Sequence, residues 1–190
     1  MADVPLRRPV LSFGHMASDL QRRKISGVFA AMDVDGDGFL QEQDFRALAE
    51  RWSRVRGQDD GPRLTGIMLS WWTTLLAASD RDRDDKVTLD EVLLVVDRLP
   101  DTPEAVTATA DAMFEAIDEN GDGLISAAEY RRLIEVWNGR PTDTDTTFPL
   151  LDSDGDGMLS RSEFAALWLE FWAGDDAEAP GTLVFGPLAA

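Results

Sequence analysis

Residues 118–129 read Asp118-Glu119-Asn120-Gly121-Asp122-Gly123-Leu124-Ile125-Ser126-Ala127-Ala128-Glu129, with oxygen-bearing side chains at positions 1, 3 and 5, glycine at 6, an apolar β-former at 8 and a carboxylate at 12. The same grammar returns at residues 152–163 (DSDGDGMLSRSE), 33–44 (DVDGDGFLQEQD) and 80–91 (DRDRDDKVTLDE). A hard cation such as Ca2+ takes about six to eight oxygens at roughly 2.3–2.6 Å, so a loop this short must turn its odd positions inward and close with a side chain that gives two oxygens at once. A single match carries little weight. Four in register decide the fold.

The spacing is that of the metal loop of an EF-hand. In the third loop it assigns Asp118, Asn120 and Asp122 as side-chain ligands, the Leu124 carbonyl as the position 7 ligand and Glu129 as the bidentate clamp. The fourth repeats this with Asp152, Asp154, Asp156, the Met158 carbonyl and Glu163. Gly123 and Gly157 stand at position 6, where the chain turns at positive φ and a Cβ is penalised. Ser126 and Ser160, at position 9, are expected to hold a bridging water.

The other two loops deviate. The first has Asp33, Asp35, Asp37 and the Phe39 carbonyl in place, but closes with Asp44 instead of Glu. Asp is one methylene shorter, which favours a smaller, six-coordinate site and moves it toward Mg2+. The second keeps Asp80, Asp82, Asp84, the Lys86 carbonyl and Glu91, yet carries Asp85 where glycine is expected. A left-handed Asp costs on the order of 1 kcal/mol. Two readings stand for this loop: a site filled at high Ca2+, and a pairing scaffold that holds no ion. Three Ca2+ sites are thus expected, with a fourth at residues 80–91 left open.

Helical periodicity flanks each loop. Leu20, Ile25, Val28, Phe29 and Met32 precede the first, behind a Ser18–Gln21 capping box; Phe45, Leu48, Trp52 and Val55 follow it. Pro62 opens an unusually apolar helix, and Leu93, Leu94 and Val96 follow the second loop before Pro100. Thr102-Pro103-Glu104 starts the next helix, and Asn138-Gly139 stops the one after the third loop. The Thr-rich run 142–147 and Pro149 predict a short or kinked helix before the fourth loop. The fold class is all-α: two EF-hand pairs, four helix-loop-helix units, packed into one globule. Leu40, Val87, Ile125 and Leu159, all at position 8, are expected to join paired loops through short β-bridges. The expected division is an N-terminal arm over 1–17, a first hand pair over 18–100, a second over 101–173 and a tail over 174–190 packing on the core.

The formal charge of the 190-residue chain is −18, but 15 of its 36 carboxylates are proposed ligands. Four bound Ca2+ would bring the net to −10, so much of the acidity is ion-binding capacity and nucleic acid is not an expected partner. No cysteine is present, which excludes disulfides and zinc–thiolate sites. No signal peptide is readable and no apolar run reaches the ~20 residues of a membrane span. A cytoplasmic monomer is expected. No Ser–His–Asp set, P-loop or dinucleotide fingerprint appears, and His15 reads as a surface residue, so no enzymatic activity is expected.

With four loops in this order, a deviant second loop and the ending Asp175-Asp176-Ala177-Glu178-Ala179-Pro180-Gly181-Thr182-Leu183-Val184-Phe185-Gly186-Pro187-Leu188, the chain resembles the calerythrin and sarcoplasmic calcium-binding protein group. The resemblance implies an intracellular Ca2+ buffer or signal modulator, and a second hand that is commonly silent. The residues agree with a closed protein. Sensors of the opening kind expose Met-rich grooves, whereas Met16, Met32, Met68, Met113 and Met158 are dispersed here and the apolar bulk is Trp and Phe. The alternative is a sensor that exposes an apolar groove and binds a target helix of a protein not identified by the sequence.

Overall fold

Residues 17–56, 60–99 and 103–187 are described by the computed structural model. The expected N-terminal arm, with His15, lies outside these residues except for Ala17, as do the Pro100 stop and the Thr102 cap. Helix α1 (Asp19–Met32) begins at the expected box: Ser18 Oγ accepts the Gln21 amide at 3.1 Å, and the Gln21 side chain accepts the Ser18 amide at 3.3 Å. α2 (Glu42–Arg56) leaves the first loop, α3 (Gly61–Ser79) enters the second behind Pro62, and α4 (Leu89–Val96) leaves it. In the second half α5 (Pro103–Ile117) leads to strand β1 (Leu124–Ser126) and α6 (Ala127–Asn138), which Gly139 ends at φ 66°. α7 (Phe148–Leu151) is the short helix that Pro149 foretold. Strand β2 (Met158–Ser160), α8 (Arg161–Ala173) and a 3-10 turn (Pro180–Leu183) follow.

The position 8 residues pair the loops as expected. Leu40 and Val87 exchange both amide bonds, at 2.8 and 3.0 Å, and Ile125 lies opposite Leu159 in the antiparallel pair β1–β2. Each of the four is fully buried. The loops are therefore anchored on one side to the core and face outward with their polar positions.

One core serves both halves. Trp71 of α3 stacks on Trp137 of α6 at 5.8 Å and meets Trp168 and Trp172 of α8 at 6.2 and 6.5 Å. Phe185, just past the 3-10 turn, packs on Trp137 at 4.9 Å and Phe171 at 4.8 Å, while Tyr130 Oη donates to the Leu183 carbonyl at 3.0 Å. Aromatic pairs at such spacings add to the area they bury. Two arginines of α2 also reach across: Arg51 donates to the Val136 carbonyl at 2.9 Å and Arg56 to the Ala116 carbonyl at 2.6 Å, satisfying the C-terminal ends of α6 and α5.

Two residues expected on inward stripes point outward. Val55 is exposed because Arg56, four residues after Trp52, takes the inward position and sends its guanidinium across the interface. Leu94 is exposed because Val92, Leu93 and Val96 define the buried face of α4. Among the described residues no helix is long and apolar enough to cross a membrane.

Candidate functional site

Each loop is held by one hydrogen-bond scheme built from its own carboxylates and amides. The position 1 aspartate accepts from the amides at positions 4 and 6. Asp33 takes Gly36 (2.8 Å) and Gly38 (2.9 Å), Asp118 takes Gly121 (2.8 Å) and Gly123 (2.9 Å), and Asp152 takes Gly155 and Gly157 (both 2.8 Å). In the second loop Asp80 takes Arg83 (2.7 Å) and Asp85 (3.2 Å). The position 5 carboxylate accepts the position 7 amide: Asp37 from Phe39, Asp84 from Lys86 and Asp156 from Met158, each at 2.9 Å, and Asp122 from Leu124 at 2.8 Å.

Turning this tightly needs left-handed backbone at position 4 as well as at 6. Gly36, Gly121 and Gly155 have positive φ like Gly38, Gly123 and Gly157. Sequence reasoning singled out position 6 alone, although the glycines at 36, 121 and 155 carried the same signal. The second loop therefore departs twice, with Arg83 and Asp85 both at φ 62°.

The closing carboxylate ties the two ends of its loop. Glu129 accepts the Glu119 amide at 2.9 Å and the Ser126 amide at 2.8 Å; Glu91 accepts Arg81 at 3.1 Å and Thr88 at 2.9 Å. Glu163 accepts the Ser153 hydroxyl at 2.8 Å and the Ser160 amide at 2.9 Å. Asp44, with its shorter side chain, still reaches both ends, taking the Val34 amide at 3.0 Å and the Gln41 amide at 2.9 Å. It does so from a deeper seat, at 1% exposure against 4% for Glu129.

The position 9 hydroxyls also have a task that sequence reasoning did not assign them. Ser126 and Ser160 each donate to their clamp at 2.7 Å and accept its amide at 3.3 Å, forming capping boxes that start α6 and α8; Thr88 does the same for α4. The S/T-x-x-E pattern was present in all three loops. The first loop lacks it and uses two glutamines that sequence reasoning passed over: Gln41 donates to Asp37 at 2.9 Å and Gln43 to Asp35 at 2.7 Å. Between the paired loops, Lys86 Nζ lies over the Phe39 ring at 4.7 Å.

Carboxylate oxygens of Asp33, Asp35 and Asp44, of Asp80, Asp82 and Glu91, and of Asp152, Asp154 and Glu163 converge to within 4.8 Å in each loop. In the third loop position 3 is an amide: Asn120 Oδ1 accepts the Asp122 amide at 2.9 Å and its Nδ2 donates to Asp122 Oδ2 at 2.8 Å. The electrostatics show the strain of this crowding. Asp82 is pushed up by desolvation and by the charges of Asp84, Glu91 and Asp80. Burial raises Asp44, against the Gln41 and Val34 amides. Glu163 is held down to about 2 by the Ser160 amide and hydroxyl, so it stays ionised at neutral pH. A convergent set made only of oxygens, negative and pre-tied by amides, fits a hard divalent cation, which is the group these loops would hold.

Two family models match the chain, an EF-hand domain pair over residues 107–169 and an EF hand over residues 25–49. Among curated relatives, sarcoplasmic calcium-binding protein 1 of Astacus leptodactylus is 27% identical over 180 residues, 82% of this chain and 90% of the relative. The alpha-B and -A chains of the sarcoplasmic calcium-binding protein of Penaeus sp. are 33% identical over 110 residues, 52% of this chain; there the chain spans only 57% of the relative's length. A solved calcium-binding protein of Streptomyces coelicolor is 26% identical with a TM-score of 0.66, covering 82% of this chain and 99% of that one. Repeated loops, paired hands, a shared aromatic core and these likenesses agree: the chain carries EF-hands and is similar to the sarcoplasmic calcium-binding proteins.

Proposed function

We propose that the chain is a Ca2+ buffer or signal modulator, a cytoplasmic monomer that takes the ion in two hand pairs, residues 18–100 and 101–173, with the 174–190 tail seated on the core. The ligands are the side chains at positions 1, 3 and 5 of each loop, the carbonyls of Phe39, Lys86, Leu124 and Met158, and the closing carboxylates Asp44, Glu91, Glu129 and Glu163. A bound cation supplies the positive charge that the crowded carboxylates lack; the chain's own groups orient those carboxylates and exclude competing partners. Ca2+ is the expected ion, with Mg2+ competing at residues 33–44.

The carrying observation is that one hydrogen-bond scheme recurs in four loops behind which the core is closed by Phe185 against Trp137 and Phe171. A closed aromatic core suits uptake of the ion without exposure of a target groove. The carboxylates are committed to the cation and no reaction is assigned to them. Calorimetric titration with Ca2+, with and without millimolar Mg2+, is expected to resolve three or four sites; no binding heat would defeat the reading.

The sensor is the second reading, because the Streptomyces coelicolor relative is described with prokaryotic calcium-mediated regulation. A hydrophobic dye separates the two. A buffer leaves its fluorescence nearly unchanged on Ca2+ addition, whereas a sensor raises it strongly.

A further inference from the structure

Charge is unevenly spread over this acidic molecule. The chain has 36 carboxylates against 18 Lys and Arg. Yet one groove of about 610 Å3, bordered by α1, the C-terminal end of α6, α8 and residues 185–187, is lined by Arg22, Arg23, Lys24 and Arg140 and by no carboxylate. Its apolar floor is Trp137, Phe171 and Phe185, with Phe185 4.9 Å from Trp137 and 4.8 Å from Phe171.

The cations divide by their partners. Lys24 is buried, and its ammonium is spent on the Gly174 carbonyl at 2.7 Å and the Glu170 carbonyl at 3.3 Å. Arg22, Arg23 and Arg140 are exposed and form no ion pair among the described residues, unlike Arg56, Arg63, Arg131, Arg132 and Arg161. Two nearby carboxylates are engaged elsewhere, Glu170 accepting the Gly181 amide at 2.9 Å and Asp175 the Ser18 hydroxyl, while Asp19, one turn earlier on α1, forms no ion pair with Arg22 or Arg23 among the described residues. Trp137 is 2% exposed, and its indole N–H has no acceptor among the described residues. That N–H is itself shielded from solvent, so Trp137 contributes its ring to the groove floor.

We propose that this groove docks an acidic peptide segment of a partner protein, with an apolar side chain on the Trp137–Phe185 floor and flanking carboxylates on Arg22, Arg23 and Arg140. Arginine presents a planar fork that matches a carboxylate, and arginine beside aromatics is the composition of interface anchors. A peptide is favoured over an anionic membrane or a nucleic acid by scale. A short segment meets only the basic groove, within a Debye length of about 8 Å, whereas an extended anionic surface also meets the acidic remainder. The proposal stands on groove chemistry and does not depend on the Ca2+ reading.

The test uses the full chain at saturating Ca2+ and again in chelator, titrated by fluorescence anisotropy. Three probes are compared: a short labelled peptide of Asp and Glu around a central Phe-Leu pair, its counterpart with Lys replacing every acid, and phosphatidylcholine vesicles containing phosphatidylserine. The acidic peptide is expected to bind saturably in at least one of the two conditions. Its affinity is expected to fall about tenfold in Arg22→Glu/Arg23→Glu and in Arg140→Glu, and to drop with added salt. These arginines are exposed, so the variants keep the fold, and far-ultraviolet dichroism checks it. Binding of the acidic peptide no tighter than the basic one, affinity unchanged by the charge reversals, or binding by the vesicles alone would overturn the proposal.

Discussion

Arg56 Nε meets the Glu119 carboxylate at 3.4 Å across the two halves of the chain, and the backbone N–H of the same Glu119 donates to the closing Glu129 carboxylate at 2.9 Å. The helix leaving the first loop is thereby two contacts from the clamp of the third. Arg56 is 4% exposed and is further fixed by Asp60 at 3.0 Å and the Ala116 carbonyl at 2.6 Å, while Arg132 holds Glu119 from the other side at 2.7 Å. The buried fork therefore serves as a strut between the halves.

Arg56→Ala should leave the Ala116 carbonyl without this donor and Asp60 with Arg63 alone, which holds it at 2.8 and 2.9 Å. The expected loss is about 2–4 kcal/mol of unfolding free energy, read by urea denaturation in Ca2+. Ca2+ affinity at the third loop should weaken with it, because Glu119 is no longer held from the first half. Arg56→Lys should recover little, since one ammonium cannot reproduce the fork. Wild-type stability in Arg56→Ala would show the network to be idle.

The clamps give a stoichiometric test. Glu129→Gln or Glu163→Gln removes the charge and one anionic oxygen but keeps a residue that still completes the capping boxes with Ser126 and Ser160. Helices α6 and α8 should persist while the number of sites filled at micromolar Ca2+ falls by about one in each variant. Full stoichiometry in both would refute the ligand assignment.

Much of this was legible in the sequence because the metal loop is a local code: ligand type, turn residue and β-former sit at fixed offsets and need no distant partner. The pairing through Leu40–Val87 and Ile125–Leu159 follows from the same offsets. What escaped was long-range or dual-purpose. No local pattern marks Arg56 as the inward residue of its turn, which is why Val55 was misplaced. Ser126 and Ser160 satisfy two patterns at once, and the helix cap was overlooked although the hydroxyl lies within reach of the clamp and its amide. The grouping of Arg22, Arg23 and Arg140 arises only when α1 and the end of α6 meet in space.

The second loop pays for its sequence in backbone conformation. A Cβ at the equivalent glycines, Gly36, Gly38, Gly121, Gly123, Gly155 and Gly157, would meet nothing within 4 Å, so φ and not space demands glycine there. Arg83→Gly and Asp85→Gly should each relieve a left-handed side chain and stabilise the loaded protein by about 0.5–1 kcal/mol, less the entropy glycine adds to the unfolded chain. Ca2+ affinity at residues 80–91 should rise, read as a clearer fourth site in calorimetry. No change in that site would mean that the strain is not what limits it.

Lys24 sets a pH dependence. Burial lowers its pKa from 10.5 to about 8, against the raising charges of Asp175 and Glu170. The native state thus releases this proton before the unfolded chain does, and stability rises with pH between the two values. Below about 8 the ammonium is charged in both states and its full penalty remains. Relative to Lys24→Met, the wild type should gain stability from pH 7 to 10, by at most about 3 kcal/mol. Parallel curves would place Lys24 in water. Above pH 10 Tyr130, raised by burial, acts oppositely, since only the unfolded chain loses that proton, so the comparison is confined below it.

The first loop tests what one methylene decides. Asp44 reaches the Val34 and Gln41 amides with both oxygens from a seat only 1% exposed, so its carboxylate is already drawn toward the loop. A short clamp held this way favours one metal contact and a smaller, six-coordinate site, where Mg2+ competes better than at the loops closed by Glu129 and Glu163. Asp44→Glu adds a methylene in a packed place and should lower the melting temperature of the ion-free protein slightly. In return the longer clamp should raise Ca2+ affinity at residues 33–44 and weaken Mg2+ competition there, leaving the second hand pair nearly unchanged. Calorimetric Ca2+ titration of wild type and variant with and without millimolar Mg2+ reads both effects. If the Ca2+/Mg2+ preference of the first loop stays where it was, Asp44 chelates through both oxygens as it stands, and the smaller site inferred from its length does not exist.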